Sequence, residues 1–197
     1  MKEIAFRKIL GYDPTLGGKF SRYGGYCLIT EQKQDPSIIN PENEIFDFPK
    51  DIYGPIFCSS LKRGIDSASY VCMKTGLTKV VLPELNEINF SLEDLLSEEE
   101  YLEQGSDLVR KRFVEYFVED KFKEKRGSIQ DRTHNLLARF NVLPEGRHLA
   151  ISHSFFMKIF EAYNKEPTLF KEPELLANYL DPFKKIYIFG QGFELKL

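Results

Sequence analysis

The sequence predicts an α/β fold: a three-layer sandwich with a central, mainly parallel sheet, helices on both faces and a small cap insertion. Three observations predict it. Short apolar runs of strand length alternate with longer segments of helical period, which is the signature of strand–helix–strand units. Arg7, Ser59 and His153 each fall just past the end of one of those runs, and ligands in such sheets bind at the carboxyl ends of the strands. Residues 11–51, rich in Gly and Pro, interrupt the alternation. An aperiodic stretch of that length in a compact domain is expected to be a lid or binding loop.

Each element follows in order. Ile4-Ala5-Phe6 is a short buried strand running into Arg7-Lys8, and within residues 11–51 only 26–30 resemble a strand. Pro55-Ile56-Phe57-Cys58 is the second buried strand. Leu61, Ile65, Ala68 and Cys72 then recur at helical spacing, with Ser60 as the expected N-cap and Gly76 as the stop. Lys79-Val80-Val81-Leu82 is a third strand. An acidic, helix-leaning segment covers 92–104, with Glu98-Glu99-Glu100 as a solvated face, and helices follow at about 106–125 and 128–140. His148 to Ser152 is the fourth strand, and Phe155, Ile159, Phe160 and Tyr163 mark a helix after it. Residues 185–189 and 193–197 close the chain as a strand pair, expected to form a hairpin around Gly190-Gln191-Gly192. The expected organisation is one domain over 1–197, with cap segments at about 11–51 and 83–105.

Composition narrows the function. The chain has 197 residues, enough for one well-buried core. A net charge of -3 and the lack of a basic stripe argue against a nucleic-acid partner. Cys27, Cys58 and Cys72 are an odd, unclustered set of thiols. They favour a reducing compartment over a disulfide framework and offer no thiolate metal site. No apolar run approaches the ~20 residues needed to cross a bilayer, and the N-terminus does not read as a secretory signal. These features predict a cytoplasmic protein without a membrane partner, metal or cofactor.

Four segments carry a resemblance. Ser59-Ser60-Leu61-Lys62-Arg63-Gly64-Ile65-Asp66-Ser67-Ala68 is similar to Ser-Ser-x-x-Arg-Ala-x-x-Thr-Ala, with Gly64 for Ala and Ser67 for Thr. Leu85-Asn86-Glu87 resembles a Leu-x-Glu segment, and Arg132 stands where an arginine often precedes the last motif. Ala150-Ile151-Ser152-His153 resembles Val-Ser-His-Gly, with Ser154 for Gly. Pieces of this kind, in this order, resemble the histidine phosphatase (phosphoglycerate-mutase-like) superfamily. The resemblance covers most of the chain from Pro55 to Tyr163. The first strand departs from it. The family's strand ends in Arg-His-Gly, whose histidine takes the phosphoryl group, whereas this chain has Arg7-Lys8-Ile9. Its three histidines are His134, His148 and His153; the first lies mid-helix and the second begins a strand.

The resemblance implies a phosphorylated small molecule as substrate or ligand. Arg7 and Arg63 would offer planar forks to phosphoryl oxygens. His153 and Ser154 would meet the same group at a helix N-terminus, where free N–H groups and the dipole favour an anion. Glu87 would protonate the leaving oxygen, its carboxyl raised by burial, with Glu84 three residues earlier as the alternative acid. Arg132 is expected to be a structural salt-bridge partner. Lys8 stands at the nucleophile's place, yet an ammonium with an ordinary pKa of about 10.4 is no nucleophile at neutral pH, so Lys8 reads as one more cation of the pocket. Three outcomes stay open: hydrolysis by direct attack of water, another reaction on a phosphorylated substrate, or a degenerate module that binds phosphate esters without turning them over.

Overall fold

The computed structural model describes residues 1–9, 38, 48–181, 186–187 and 190–197. Its described strands are β1 (Lys2–Lys8), β2 (Ile52–Cys58), β3 (Lys79–Val81), β4 (Gly146–Ser152) and β5 (Gly192–Lys196), in the sheet order β3-β2-β4-β1-β5. Neighbours from β3 to β1 pair in parallel, and β5 alone runs antiparallel, along β1. The helices are α1 (Lys62–Thr75), α2 (Leu92–Leu95), α3 (Glu98–Val118), α4 (Arg126–Asn141) and α5 (Ser154–Lys165), with 3-10 turns at Pro83–Leu85 and Pro173–Asn178. This is the α/β sandwich that the alternation predicts, with a mostly parallel five-stranded sheet.

Side chains alternate across the sheet, so each strand feeds two cores. Ile4, Phe6, Phe57 and Ala150 point to one layer with Phe113, Phe117, Phe140, Phe156 and Phe160 from α3, α4 and α5. Ala5, Ile56, Cys58, Leu149 and Ile151 point to the other, where Ala68 and Val71 of α1 cover them. Aromatic residues dominate the first layer. Phe6 stacks on Phe193 at 4.8 Å between centroids and meets Phe140 edge-on at 5.8 Å, the offset and T-shaped geometries that ring quadrupoles favour.

The structure corrects several element expectations. The N-cap of α1 is Leu61, without a side-chain bond, rather than Ser60, whose N–H and hydroxyl bond Asn86 instead. Gly76 does end that helix, in the left-handed conformation at φ 73 with its N–H on the Cys72 carbonyl at 2.8 Å. The acidic segment is two helices, α2 and the first turns of α3, and the helix expected from about 106 does follow a break, at Gly105 with φ 63 and ψ -147. Glu98-Glu99-Glu100 begins α3 through a capping box: Ser97 Oγ accepts from Glu100 N, and Glu100 Oε2 accepts from Ser97 N. The helix stops at Val118, short of residue 125. Residues 83–105 contribute Leu85, Ile88, Phe90, Leu92, Leu95, Leu96 and Tyr101 to the main core. The final strand pairs with β1, while most of the other arm of the expected hairpin lies outside the described residues. Within 185–189 only Ile186 and Tyr187 are described, and neither is in a strand. Most of 11–51, with its strand at 26–30, lies outside the described residues. Among the described residues no helix is long and apolar enough to cross a membrane.

Candidate functional site

Parallel pairing brings three strand ends to one edge. Lys8 is opposite Ser152 and Cys58 is opposite Ile151, so Arg7, Lys8, Ser59 and His153 leave the sheet side by side. Helices α1 and α5 start from that edge, and their first turns carry Arg63 and Ser154. A cluster of polar side chains is sealed there. Arg63 is 1 % exposed, and Ser59, Ser67, Ser152 and His153 are fully buried. A polar group in such a place costs free energy unless it is bonded, and the bonds are specific.

The hydrogen bond between His153 Nε2 and Ser59 Oγ, at 2.8 Å, joins the ends of β4 and β2. The first turn of α1 packs directly on it. A Cβ at Gly64 would lie 2.0 Å from Ser59 Oγ. Glycine in place of the motif's alanine therefore lets α1 sit against the serine while that serine holds His153. Ser67 Oγ donates to the Arg63 carbonyl at 2.6 Å within the helix.

The segment after the 3-10 turn Pro83–Leu85 is tied to this cluster on four sides. Ser152 Oγ donates to the Leu85 carbonyl at 2.7 Å. Asn86 Oδ1 accepts from Ser60 N–H at 2.8 Å, and its Nδ2 donates to Ser60 Oγ at 2.9 Å. Arg132 Nη1 donates to the carbonyls of Glu84 and Asn86, at 3.0 and 2.6 Å, while Nη2 meets Glu124 Oε2 at 3.0 Å. Its guanidinium lies over the Phe156 ring, 4.2 Å from the centroid. Burial pushes the Arg132 pKa down, against the pull of Glu124 and Glu87. The fourth tie is Glu87 itself. Oε1 accepts from the backbone N–H of Ile88 at 3.0 Å and of Phe156 at 2.8 Å, and Oε2 accepts from Phe155 at 3.2 Å.

The β1 side is arranged differently. Arg7 Nη2 bonds Glu194 Oε1 at 2.6 Å, and Nη1 donates to the Phe6 carbonyl at 2.9 Å. Glu194 lies opposite Ala5 on β5, diagonal to Arg7 on the same face of the sheet, within reach of a long side chain. Lys8 Nζ is 3.4 Å from the Tyr187 carbonyl. Tyr187 is anchored in turn by its hydroxyl on Glu161 Oε2 and by Lys158 over its ring at 4.6 Å. Burial pushes Glu161 up, but hydrogen bonds from Lys158, Tyr187 and Lys165 outweigh it and hold the carboxyl down at about 2.

The other histidines are elsewhere. His134 Nε2 meets Tyr163 OH at 2.7 Å on exposed surface, and His148 Nε2 meets the Pro144 carbonyl at 2.9 Å near the opposite ends of the strands. Among the described residues no group of three or more His, Cys, Asp or Glu is placed to hold a metal. Sequence reasoning gave no role to Gly64, Asn86, Ser152 or Glu194. The glycine-for-alanine change was the one local signal among these; the others depend on which distant segments meet.

Two solved structures share the fold. One, described as mycobacterial hydrolase 1, superposes with a TM-score of 0.55 at 13% identity, covering 82% of this chain and 80% of that chain. The other is a mycobacterial glucosyl-3-phosphoglycerate phosphatase in complex with VO3, with a TM-score of 0.52 at 15% identity and 87% of each chain covered. No curated protein matches the chain in sequence. The family model for the histidine phosphatase superfamily, branch 1, matches residues 48–174, a span that holds Ser59, Arg63, Glu87 and His153. That span exceeds half of the chain, and the chain belongs to the histidine phosphatase superfamily.

Proposed function

We propose that this protein binds a phosphorylated small molecule, a phosphomonoester, where β1, β2 and β4 end. One observation carries the proposal most directly. Arg63 and His153 are sealed together at the helix-bearing edge of the sheet, joined through Ser59 and the first turn of α1. A buried guanidinium, an imidazole and the N-terminus of α5 form a cationic, donor-rich enclosure matched to a phosphoryl group. In this assignment Arg63 supplies the bidentate fork, and His153 and the Ser154 amide bind the remaining oxygens. Arg7 and Lys8 add positive charge from the β1 side, and Glu87 is the carboxylate that the family motif supplies.

Hydrolysis through a phosphohistidine is not expected, because Lys8 stands where the family's nucleophile stands. Positioning and electrostatic stabilisation survive that loss, since they come from the clamp rather than from the nucleophile. Attack by water on the clamped phosphoryl group is the chemistry that remains, and it is slow. A specific observation supports a second reading, binding without turnover: Arg7 is already paired with Glu194. The proposal also places the protein in the cytoplasm, in keeping with Cys58 and Cys72 as free thiols, the former buried and pushed up to about 11 by that burial.

Orthovanadate and an aryl phosphate test this with the natural protein, Arg63→Ala and His153→Ala. Vanadate should bind the natural protein and lose roughly 10- to 100-fold in affinity in Arg63→Ala, the worth of a charge-assisted hydrogen-bond pair. Phosphate release should be feeble and should fall further in His153→Ala. Failure of the natural protein to bind vanadate would end the proposal, and rapid turnover through a trapped phosphoenzyme would overturn the account of Lys8.

A further inference from the structure

We infer that Glu87 is a positioning residue: its carboxylate caps α5 from across the chain and so fixes His153 and the Ser154 amide at the edge of the sheet. The N-cap residue of α5 is His153 itself, and its side chain makes no capping bond. A helix start leaves its first N–H groups without internal partners, and here those of Phe155 and Phe156 are taken by Glu87, 68 and 69 residues earlier in the sequence. The ring of His153 is meanwhile held by Ser59. One residue is therefore clamped twice, by its side chain from β2 and by its helix from the 83–87 segment. That segment is itself held by Arg132, Asn86 and Ser152, so the clamp does not depend on a loose loop.

The bonding suits a carboxylate rather than a carboxylic acid. Glu87 accepts three backbone N–H bonds over its two oxygens, and a protonated oxygen would have to aim its O–H among those donors. The charge also complements the positive end of the α5 dipole. The helix amides that Glu87 is seen to take are those of Phe155 and Phe156, and the phosphate proposal assigns the Ser154 amide to the anion. The cap and an incoming anion thus use different N–H groups of the same turn.

This inference deepens the phosphate proposal and rests on it for its binding arm alone. Isotope-labelled full-length protein, Glu87→Gln and Glu87→Ala provide the test, with the Phe155 and Phe156 amides, the His153 ring titration and orthovanadate affinity as readouts. Both variants should lose amide protection at Phe155 and Phe156. The His153 titration midpoint should move in both, with Glu87→Gln between the natural protein and Glu87→Ala because the amide keeps one acceptor. Vanadate affinity should weaken about fivefold in Glu87→Ala, the equivalent of losing a helix cap. The sign decides. A carboxylate that merely repels the anion predicts tighter vanadate in both variants, and a pure proton donor predicts unchanged amides, titration and affinity with turnover alone reduced. Either result overturns the inference. Should Glu87→Ala fail to fold, Glu87→Gln carries the same three readouts. If the natural protein does not bind vanadate, the phosphate proposal fails, while the amides and the His153 titration still decide the role of Glu87.

Discussion

The two sides of the strand-end edge are built to different rules. On the side of β2 and β4, every polar group described above serves the cluster around Arg63 and His153: Ser59 holds the imidazole, Glu87 caps its helix, and Asn86, Ser152 and Arg132 secure the segment that carries Glu87. On the side of β1 and β5, the two cations aimed at the same edge bond the protein instead, Arg7 to Glu194 and Lys8 to the Tyr187 carbonyl. The family match begins at residue 48 and ends at 174, so the first side lies inside it, and β1 and β5 lie outside. The contrast separates two tasks that a phosphoryl-transfer site combines. Holding the phosphoryl group needs the first side; forming a covalent intermediate needs a nucleophile on the second. In the proposed reading this chain keeps the clamp of the first side, while on the second Arg7 bonds Glu194 of β5 and Lys8 bonds the Tyr187 carbonyl.

The largest expected effect comes from breaking the second side mechanically. A Cβ at Gly192 would lie 1.9 Å from the Phe6 carbonyl oxygen and 2.9 Å from the Met157 methyl. Backbone cannot rotate away as a side chain can. Gly192→Ala should push β5 off β1, remove the Phe193 ring from Phe6, and destabilise the protein by about 3 kcal/mol, the upper end for overpacking. Denaturant unfolding measures it. If the two sides are independent, the surviving folded fraction should still bind vanadate.

A chemical break of the same side comes next. Lys8→His places an imidazole at the end of β1, opposite Ser152. Because the clamp is already assembled, the variant should release phosphate from an aryl ester faster than the natural protein and form an acid-labile, base-stable phosphoenzyme. Combining it with Glu194→Gln, which removes the charge that holds Arg7, should raise the rate again. Turnover unchanged in both would place the missing function beyond residue 8.

A smaller effect should come from the first side. At Gly64→Ala the worst clash of the new methyl group is with the Ser59 hydroxyl oxygen, 2.0 Å away, which can turn aside at the loss of its bond to His153. The expected cost is about 1 kcal/mol, one buried hydrogen bond, with a displaced His153 titration and weakened vanadate binding. Ser59→Ala should reproduce the titration change without the steric one, which separates the two causes.

The sequence disclosed whatever is local. Apolar runs and helical spacing are read over a dozen residues, so the alternation, the sheet class and the stop at Gly76 were all legible, and so was the motif around Arg63. What escaped depends on distant partners. The bonds of Glu87 to the Phe155 and Phe156 amides could not be read from the sequence, because they join segments 68 and 69 residues apart. The pairing of Arg7 with Glu194 was equally hidden, since it needs β5 to run antiparallel to β1. The break at Gly105 was legible as well, at the residue whose φ of 63 parts the acidic segment from the helix after it.

The smallest predicted effect tests whether the two sides communicate, through Glu161. This α5 residue accepts from Tyr187, Lys158 and Lys165, and the Tyr187 carbonyl accepts from Lys8, so Glu161 is the link from the helix of His153 to the end of β1. Its carboxyl is held at about 2, below the ordinary 4.5. A depressed carboxyl contributes stability that is fully present above the unfolded value and is lost as pH falls through the folded one. The window therefore runs from about 4.5 down to about 2. Across it the unfolded chain takes up a proton that the folded chain still refuses. Glu161→Gln should flatten the loss of stability in that window and leave the slope near neutral pH unchanged. The Glu161 side chain is 14 % exposed, so solvent screens it only in part. If the link is real, the same acidification should release Tyr187 and alter the Lys8 environment before the protein unfolds, visible as a change in the Lys8 side-chain resonances of the natural protein and absent in Glu161→Gln. Lys8 resonances that move alike in both proteins would mean that the two sides share an edge without sharing a linkage.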